Sequence, residues 1–374
     1  MREGAAERHD RLLNLVRERG TVRVADLAAQ LGVSPVTARR DAEALAARGL
    51  LDRAHGSVSW PERRGPAGTA PGAGSPVIGM LAPAAGYYFA DIIRGAHEAA
   101  ARLGARLILR VSDYRPEDDA SHAAGLLAAG AEGLLVAPSW TRPEHPARYA
   151  DWIARLPVDT VIVERRGEPG GPLDGMDRVG SDHAHGALIA VRHLVRLGHG
   201  APVLVARSDS PTAQAVRAGY AQALAALRLD APAPVLESTP GGPGREGFEA
   251  AAHTLRELVR EGRATAVVMH NDEDATRMVR RLAELDVRVP GDLALVTYDD
   301  EVAALADTPL TAVAPPKRAV GRGAAELLVE RLTAAGAEER DAPRRHVELL
   351  PTLRVRESCG APARTPDAGP AQSG

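Results

Sequence analysis

From residue 77 to residue 357 short β-branched runs alternate with helical stretches of about 10–16 residues, and this alternation limits the fold more than any other feature. Strands are predicted at Val77–Ala82, Arg106–Val111, Gly133–Ala137, Thr160–Val163, Val203–Ala206, Val235–Glu237, Ala266–Met269 and Leu293–Thr297. Short, continuously apolar runs suit strands covered on both faces. Repeated β-α units call for parallel sheets flanked by helices. The Gly/Pro-rich interval between Val163 and Val179 is expected to separate two such lobes. The fold class is therefore α/β over most of the chain.

A head and a linker precede this body, and a tail follows it. Residues 1–60 read as short helices and a hairpin. Residues 61–76 form a Pro/Gly/Ala linker with nothing to bury. The body is expected to end at 357, with 358–374 a disordered tail. Charge is uneven: residues 1–64 hold twelve Arg against nine acidic residues, and the remainder 34 basic against 40 acidic. A basic head on an acidic body fits nucleic-acid contact by the head. The single cysteine, Cys359, has no internal disulfide partner, which points to a reducing, cytoplasmic compartment. Met1–Asp10 is charged and lacks an apolar core, so no signal peptide is expected there. Nor does any apolar run reach the length of a membrane span.

In the head, Leu12, Leu13, Leu15 and Val16 share one face of a helix over residues 8–19, which Gly20 stops. A second helix covers residues 24–31, with Gly32 as its stop. Ser34-Pro35 then opens a third, with a hydroxyl at the N-cap and a proline where its missing N–H costs nothing. Early in that helix Ser34, Pro35, Thr37, Ala38, Arg39 and Arg40 offer small, hydroxylic and cationic groups that suit phosphates and base edges in a major groove. Residues 50–60 read as a hairpin wing with Arg53 and His55 near its turn. On Asp26-Leu27-Ala28, Leu31 through Asp41, and Gly49-Leu50-Leu51 with Arg53-Ala54-His55-Gly56, residues 8–58 resemble the DNA-binding head of the DeoR-type regulators, a winged helix-turn-helix. Ser57 stands where that family usually has a second glycine.

In the body only eleven aromatic residues occur in the whole chain, and Tyr87, Tyr88, Phe89, Tyr114, Trp140 and Tyr298 fall at or just after predicted strands. That placement suits a stacking box for a ring-shaped ligand at the C-terminal ends of the strands. Polar partners occur at similar positions: Asp113, Ser139, Arg165, Asp182, Asn271, Asp272 and Asp299. Several segments together resemble the ligand-binding core of the LacI/GalR regulators, relatives of the periplasmic sugar-binding proteins. They are Val77 through Pro83 with Tyr88-Phe89-Ala90, Gly133 through Ser139, Val179 through Asp182 with His193 through His199, Arg217 through Tyr220, Asn271-Asp272, Leu293 through Asp300, Pro309 through Val313, and Leu350 through Arg356. The resemblance implies a two-lobed, periplasmic-binding-protein-like domain. It also implies Tyr88 and Phe89 for stacking, Ser139 on the third loop, and Arg165, Asp182, Asn271 and Asp299 for ligand polar groups; Asp113, from its position after a strand, and Gln214 are counted as ligand-binding candidates with them. Gln214 stands where a basic residue is common, and Thr239–Gly242 lacks an aromatic. The Pro/Gly linker also replaces the short hinge helix of that family.

Other motifs compete with this reading. Gly242-Pro243-Gly244-Arg245-Glu246-Gly247 fits G-x-G-x-x-G, but a proline removes one donor and the unit is not the first β-α turn of its lobe. Asp182, His183 and His185 have a metal-like spacing, for which a helix cap is the simpler account. Asp299 and Asp300 are adjacent on an extended segment and point opposite ways, which does not suit paired catalytic carboxylates. No cofactor or metal is expected. The expected function is a homodimeric, cytoplasmic transcription regulator, a repressor, that binds operator DNA and a sugar-like effector; the alternative is an enzyme acting on a sugar or nucleotide in the same cleft.

Overall fold

The computed structural model describes residues 11–12, 15–16, 21–34, 37–39, 41–42, 45, 52–54, 57–59, 75–142, 145–239, 244–334 and 342–361. The chain divides into two compact units, Met1–Thr69 and Ala70–Gly374. In the first, β1 (Thr21–Arg23) leads into α1 (Val24–Leu31), and β2 (Asp52–Ala54) pairs with β3 (Ser57–Ser59). The expected wing hairpin is thus present, and β1 adds itself to β3 to make a three-stranded antiparallel sheet, order β1-β3-β2. Gly32 ends α1 at φ +66°, a conformation that favours glycine. Leu12, Val16, Leu27, Ala38, Ala42, Leu45 and Val58 are fully buried together and form the core of this small unit. Gly20, Gly49 and the turn at His55-Gly56 lie outside the described residues.

The second unit has two lobes. In chain order the first holds β4 (Val77–Ala82), α2 (Tyr88–Arg102), β5 (Arg106–Val111), α3 (Asp119–Ala128), β6 (Gly133–Val136), α4 (His145–Tyr149), α5 (Asp151–Ala154), β7 (Asp159–Val163) and β8 (Asp177–Ser181). The second holds α6 (His183–Arg196), β9 (Val203–Ala206), α7 (Pro211–Leu227), β10 (Leu236–Glu237), α8 (Gly244–Arg260), β11 (Ala266–His270), α9 (Asp272–Glu284), β12 (Ala294–Tyr298) and β13 (Thr311–Ala314). The chain then returns to the first lobe with α10 (Lys317–Thr333) and β14 (His346–Leu349), and ends in the second with β15 (Thr352–Arg354). The sheets run β14-β8-β7-β6-β4-β5 and β10-β9-β11-β12-β13-β15. Numbered within each lobe, five parallel strands of each sheet follow the order 2-1-3-4-5, a doubly wound pattern whose strand order reverses beside strand 1. Only β15 is antiparallel, on an edge.

The predicted strands appear within a residue or so of their expected bounds, because buried apolar runs such as β4, β6 and β11 can lie only in a sheet covered on both faces. The lobe boundary is a correction. The Gly/Pro-rich interval after β7 is a loop inside the first lobe, since Val179, buried on β8, continues the same sheet beside β7. The three crossings between lobes fall instead at 181–183, 314–317 and 349–352. A second correction concerns the tail: Ser358 and Cys359 are buried in a short 3-10 turn, Ser358 Oγ accepts from the Thr311 amide at 2.9 Å and donates to the Leu295 carbonyl at 2.7 Å.

α10 is the segment that makes the first lobe whole. It lies backbone to backbone against α2: a Cβ on Gly321 would sit 1.9 Å from the Ile92 carbonyl oxygen, and one on Gly95 2.0 Å from that of Arg318. Farther along, Arg331 makes a two-pronged ion pair with Asp177 at 2.9 and 3.0 Å, both side chains buried. Arg344 and the Arg345 amide also donate to Asp177, and Arg331 donates to the Ala342 and Pro343 carbonyls. Burial works to raise the Asp177 carboxyl, but these donors outweigh it and hold the group below the usual carboxylate range. Among the described residues no helix is long and apolar enough to cross a membrane.

Two outcomes follow for stability. Gly321→Ala forces α10 away from α2 and should cost about 1–3 kcal/mol or more in urea unfolding. Asp177→Asn leaves Arg331 buried without its charge partner and should cost about 3–5 kcal/mol. Because the Asp177 carboxyl is lowered in the folded state, its contribution is complete at neutral pH and is lost on acidification below about pH 4; the variant should lack that acid-dependent loss in thermal melts.

Candidate functional site

The loops after the parallel strands of the two lobes meet across the crossings. The Tyr87 hydroxyl, after β4, donates to Asp272 at the start of α9, after β11. The second oxygen of Asp272 accepts the amides of Glu301, Val302 and Ala303 at 2.7, 2.6 and 3.1 Å. Lys317, the only lysine in the chain, stands at the second crossing. It pairs with Glu301 and lies 4.8 Å from the centroid of the Tyr88 ring. Burial disfavours its charge, but Asp299 and Glu301 outweigh that and raise it above the ordinary lysine value. Asp299 is buried at φ +74°, and one of its carboxylate oxygens has no hydrogen-bond partner. Burial, opposed by Lys317 and assisted by Asp272, pushes its carboxyl up to about 7.

A second chain of polar groups crosses at His183, the first residue of α6. Its Nδ1 is 3.0 Å from the Tyr298 hydroxyl in the second lobe, and its Nε2 is 3.5 Å from Glu164 in the first. Glu164 also accepts from the Ser181 hydroxyl at 2.7 Å and the Ser181 amide at 3.2 Å. Burial would raise Glu164, but His183 and Ser181 hold it below the usual range. Gly186 is required behind this chain, since a Cβ there would lie 2.3 Å from the Tyr298 hydroxyl.

Beside His183 opens a cavity of about 330 Å³ between the lobes. Its walls include Trp140, Glu164, Arg165, Ser181 and Asp182 from the first lobe and the crossing. The first turn of α7, with Thr212 and Gln214, closes the second-lobe side. Ser210 caps that helix through the Ala213 amide at 3.0 Å, with Pro211 in the position that needs no donor. Arg165 is buried, donates to the Pro138 carbonyl at 3.1 Å and the Glu164 carbonyl at 2.9 Å, and lies 5.5 Å from the centroid of Phe89.

Of the ligand residues named from the sequence, Arg165, Asp182 and Gln214 come together in this cavity. Asp182 spends one oxygen on capping α6 through the His185 amide at 2.8 Å. Tyr88 and Asp299 belong to the neighbouring Lys317 cluster. Asn271 caps α9 through the Asp274 amide at 3.1 Å. Ser139 is fully buried, bonded to Ser112 and, through its amide, to Asp119 at 2.8 Å. Phe89 lies in the core of the first lobe, and Asp113 is exposed; neither lines the cavity. The aromatic box is not assembled as expected: Tyr298 and Phe89 pack in separate lobes, and Tyr114 is 44 % exposed. Glu164 and Lys317 were missed by motif reading. The signal for Lys317 was its solitude among 45 arginines.

In the head, Ser34 Oγ accepts the Thr37 amide at 3.1 Å and lies 2.8 Å from the Thr37 hydroxyl, so it caps the third helix as its sequence implies. Arg39 is exposed. Ala38 is a correction: it is fully buried in the head's core and does not face outward. Arg53 lies on β2, while Pro35, Arg40 and His55 lie outside the described residues.

The cleft carries opposing pH dependences. His270 is buried and held neutral, its value lowered to about 3, so it stabilises the fold increasingly as pH rises toward its unfolded value. Asp299 is raised, so its contribution falls as pH rises from about 4 to about 7. Asp299→Asn removes one of the groups opposing the His270 effect, Asp119 and Asp274 being the others, and the melting temperature should rise more steeply over that interval than in the wild type.

Residues 8–64 match the model of the DeoR-like helix-turn-helix domain, and residues 191–359 that of a periplasmic binding protein-like domain. The HTH-type transcriptional repressor PurR of Haemophilus influenzae is 28% identical over 275 residues, 72% of this chain and 77% of that protein. A solved LacI-family regulator from Sanguibacter keddieii is 28% identical with a TM-score of 0.57, over 77% of this chain and all (100%) of that one. A CelR–cellobiose complex has the same fold, at 24% identity and a TM-score of 0.60, over 87% of this chain and 91% of that one. The chain therefore joins a DeoR-type helix-turn-helix to a periplasmic-binding-protein-like sensor domain of the LacI/GalR type.

Proposed function

We propose that the protein is a sequence-specific transcription regulator, a repressor, whose affinity for operator DNA is set by a sugar-like effector held between the two lobes. The observation that carries this reading is the union, in one chain, of a DNA-reading head with an inter-lobe cavity lying beside the chain crossings. Ser34, Thr37 and Arg39 at the start of the third helix, with Arg53 on the wing, would meet phosphates and base edges. Asp182, Gln214 and Arg165 would hold the effector, with Tyr88 and Asp299 in the adjoining cluster. PurR bears the name of a repressor, and the CelR structure names cellobiose as its ligand. An effector shifts DNA affinity only by its differential affinity for two arrangements of the lobes.

The protein acts as a cytoplasmic homodimer in this reading, because helix-turn-helix proteins gain affinity by reading two half-sites one helical turn apart. Asp272 and Glu164 are poor candidates for acid–base chemistry, for both are already bound to amides, hydroxyls and an imidazole that hold them in place.

Arg39→Ala should weaken operator binding by about 1–3 kcal/mol in fluorescence anisotropy while leaving effector affinity unchanged. Loss of both together would show that Arg39 supports the fold instead of reading DNA. An effector at one hundred times its dissociation constant should stabilise the protein by about 2.7 kcal/mol and be recovered chemically unchanged.

A further inference from the structure

The charges around the inter-lobe cavity do not balance, and the imbalance has a sign. Every carboxylate on its walls is engaged by the protein. Glu348 is paired with Arg166 and, at 3.2 Å, with Arg178. Glu164 is bound by Ser181 and His183. Asp182 caps α6. Arg165 is different. It is 8% exposed, and its hydrogen bonds go to two backbone carbonyls, through Nε and Nη1. Among the described residues no carboxylate lies within ion-pair distance of it, and both Nη2 hydrogens are left without a protein acceptor. The two carbonyls occupy only part of its donor edge, and its charge is met by Glu164 and Asp119 from beyond ion-pair distance, a costly arrangement in a buried site.

The surroundings point the same way. The cavity takes in the first turns of α6 and α7; the Asp182 carboxylate already meets the positive end of α6, whereas α7, a helix of 17 residues, is capped by the neutral Ser210 and presents about half a positive charge to the cavity. On two of its walls the Gln214 amide nitrogen and the Trp140 indole nitrogen are buried without an acceptor. The site is rich in donors and positive potential and short of acceptors. Burial lowers Arg165 from its ordinary value, with Tyr114 and Glu164 opposing.

We infer that the effector carries an anionic group, a carboxylate or a phosphate, and that Arg165 receives it. A planar guanidinium with a free edge binds either group more strongly than a hydroxyl, through charge-assisted hydrogen bonds. The effector is then a sugar acid or a sugar phosphate, its hydroxyls directed to the remaining polar walls. This rests on the effector reading above and narrows it.

The test is calorimetric titration of the full-length protein, at constant ionic strength, with D-glucose, D-glucuronate, D-glucose 6-phosphate and inorganic phosphate. At least one anion should bind about tenfold or more tightly than glucose, and the preferred one distinguishes carboxylate from phosphate. Arg165→Gln should lose that anion at least about tenfold. Arg318→Gln, on the outer face and paired with Glu98, should retain it. Glucose binding as tightly as the anions, or an unchanged anion affinity in Arg165→Gln, overturns the inference and leaves the sensor reading standing; so does silence across all four probes. Anions that bind through Arg165 without altering operator affinity uphold the inference and sink the regulator reading instead. If Arg165→Gln fails to fold, Arg165→Lys, which keeps the charge and loses the fork, should retain a weakened anion preference over glucose. Its absence there is equally fatal.

Discussion

The two-lobed body depends on a helix that arrives from the wrong lobe. α10 leaves the second lobe after β13, crosses at Lys317 and completes the core of the first, where Val320, Ala324 and Leu328 are fully buried. Glycine against carbonyl at Gly321 and Gly95 fixes its distance from α2, and the Arg331–Asp177 pair fixes its far end to β8. Two short-range requirements at opposite ends of one helix thus set its position along its whole length. The residues at its start inherit that precision: Lys317 is held under Tyr88 and against Glu301 because α10 has no freedom to slide.

The cleft chemistry follows from the same crossings. Chain reversals between lobes bring backbone amides, helix starts and polar side chains to a boundary that neither lobe's apolar core can fill. The boundary is therefore spanned by hydrogen bonds and a polar contact: Tyr87 to Asp272, and Tyr298 to His183, whose Nε2 lies 3.5 Å from Glu164. These bonds are short-ranged and directional, so small rotations of one lobe break them together. A body held in this way has discrete arrangements, which is what a ligand needs if it is to select one over another.

Much of this architecture was legible in the residues. Runs such as Gly133–Val136 and Ala266–His270 are buried on both faces, so composition alone marks them as interior strands. Caps at Ser34 and Asp182 were readable because a short polar side chain before an amphipathic run has one common use; the same use at Asn271, read as a ligand group, was missed. What escaped was set by partners far away in sequence. β14 alternates exposed and half-buried residues and becomes a strand only because β8 lies beside it. Ala38 was placed outward by its position in the third helix, but a methyl group of that size fits the core of a small head better than it serves a groove. Tyr298 and Phe89 looked like one ligand box because both follow the same strand position, yet each packs in its own lobe. Local pattern shows which residues end a strand and leaves open which of them face one another.

The first lobe is assembled from both ends of the body. Its sheet begins at β4 and is finished by β14, which pairs with β8 at Val347 and Val179 after the whole second lobe has intervened. As the chain emerges during synthesis, the second lobe can close on its own strands β9 to β13, whereas the first waits, lacking α10 and the last strand of its sheet. Contacts so distant in sequence form late and slowly. During that interval the apolar faces of α2 and β4 lack the cover of α10, so the lobe begun first in the body closes only after most of the second lobe has been made, and it is there that a chaperone or an aggregating neighbour would find its opening.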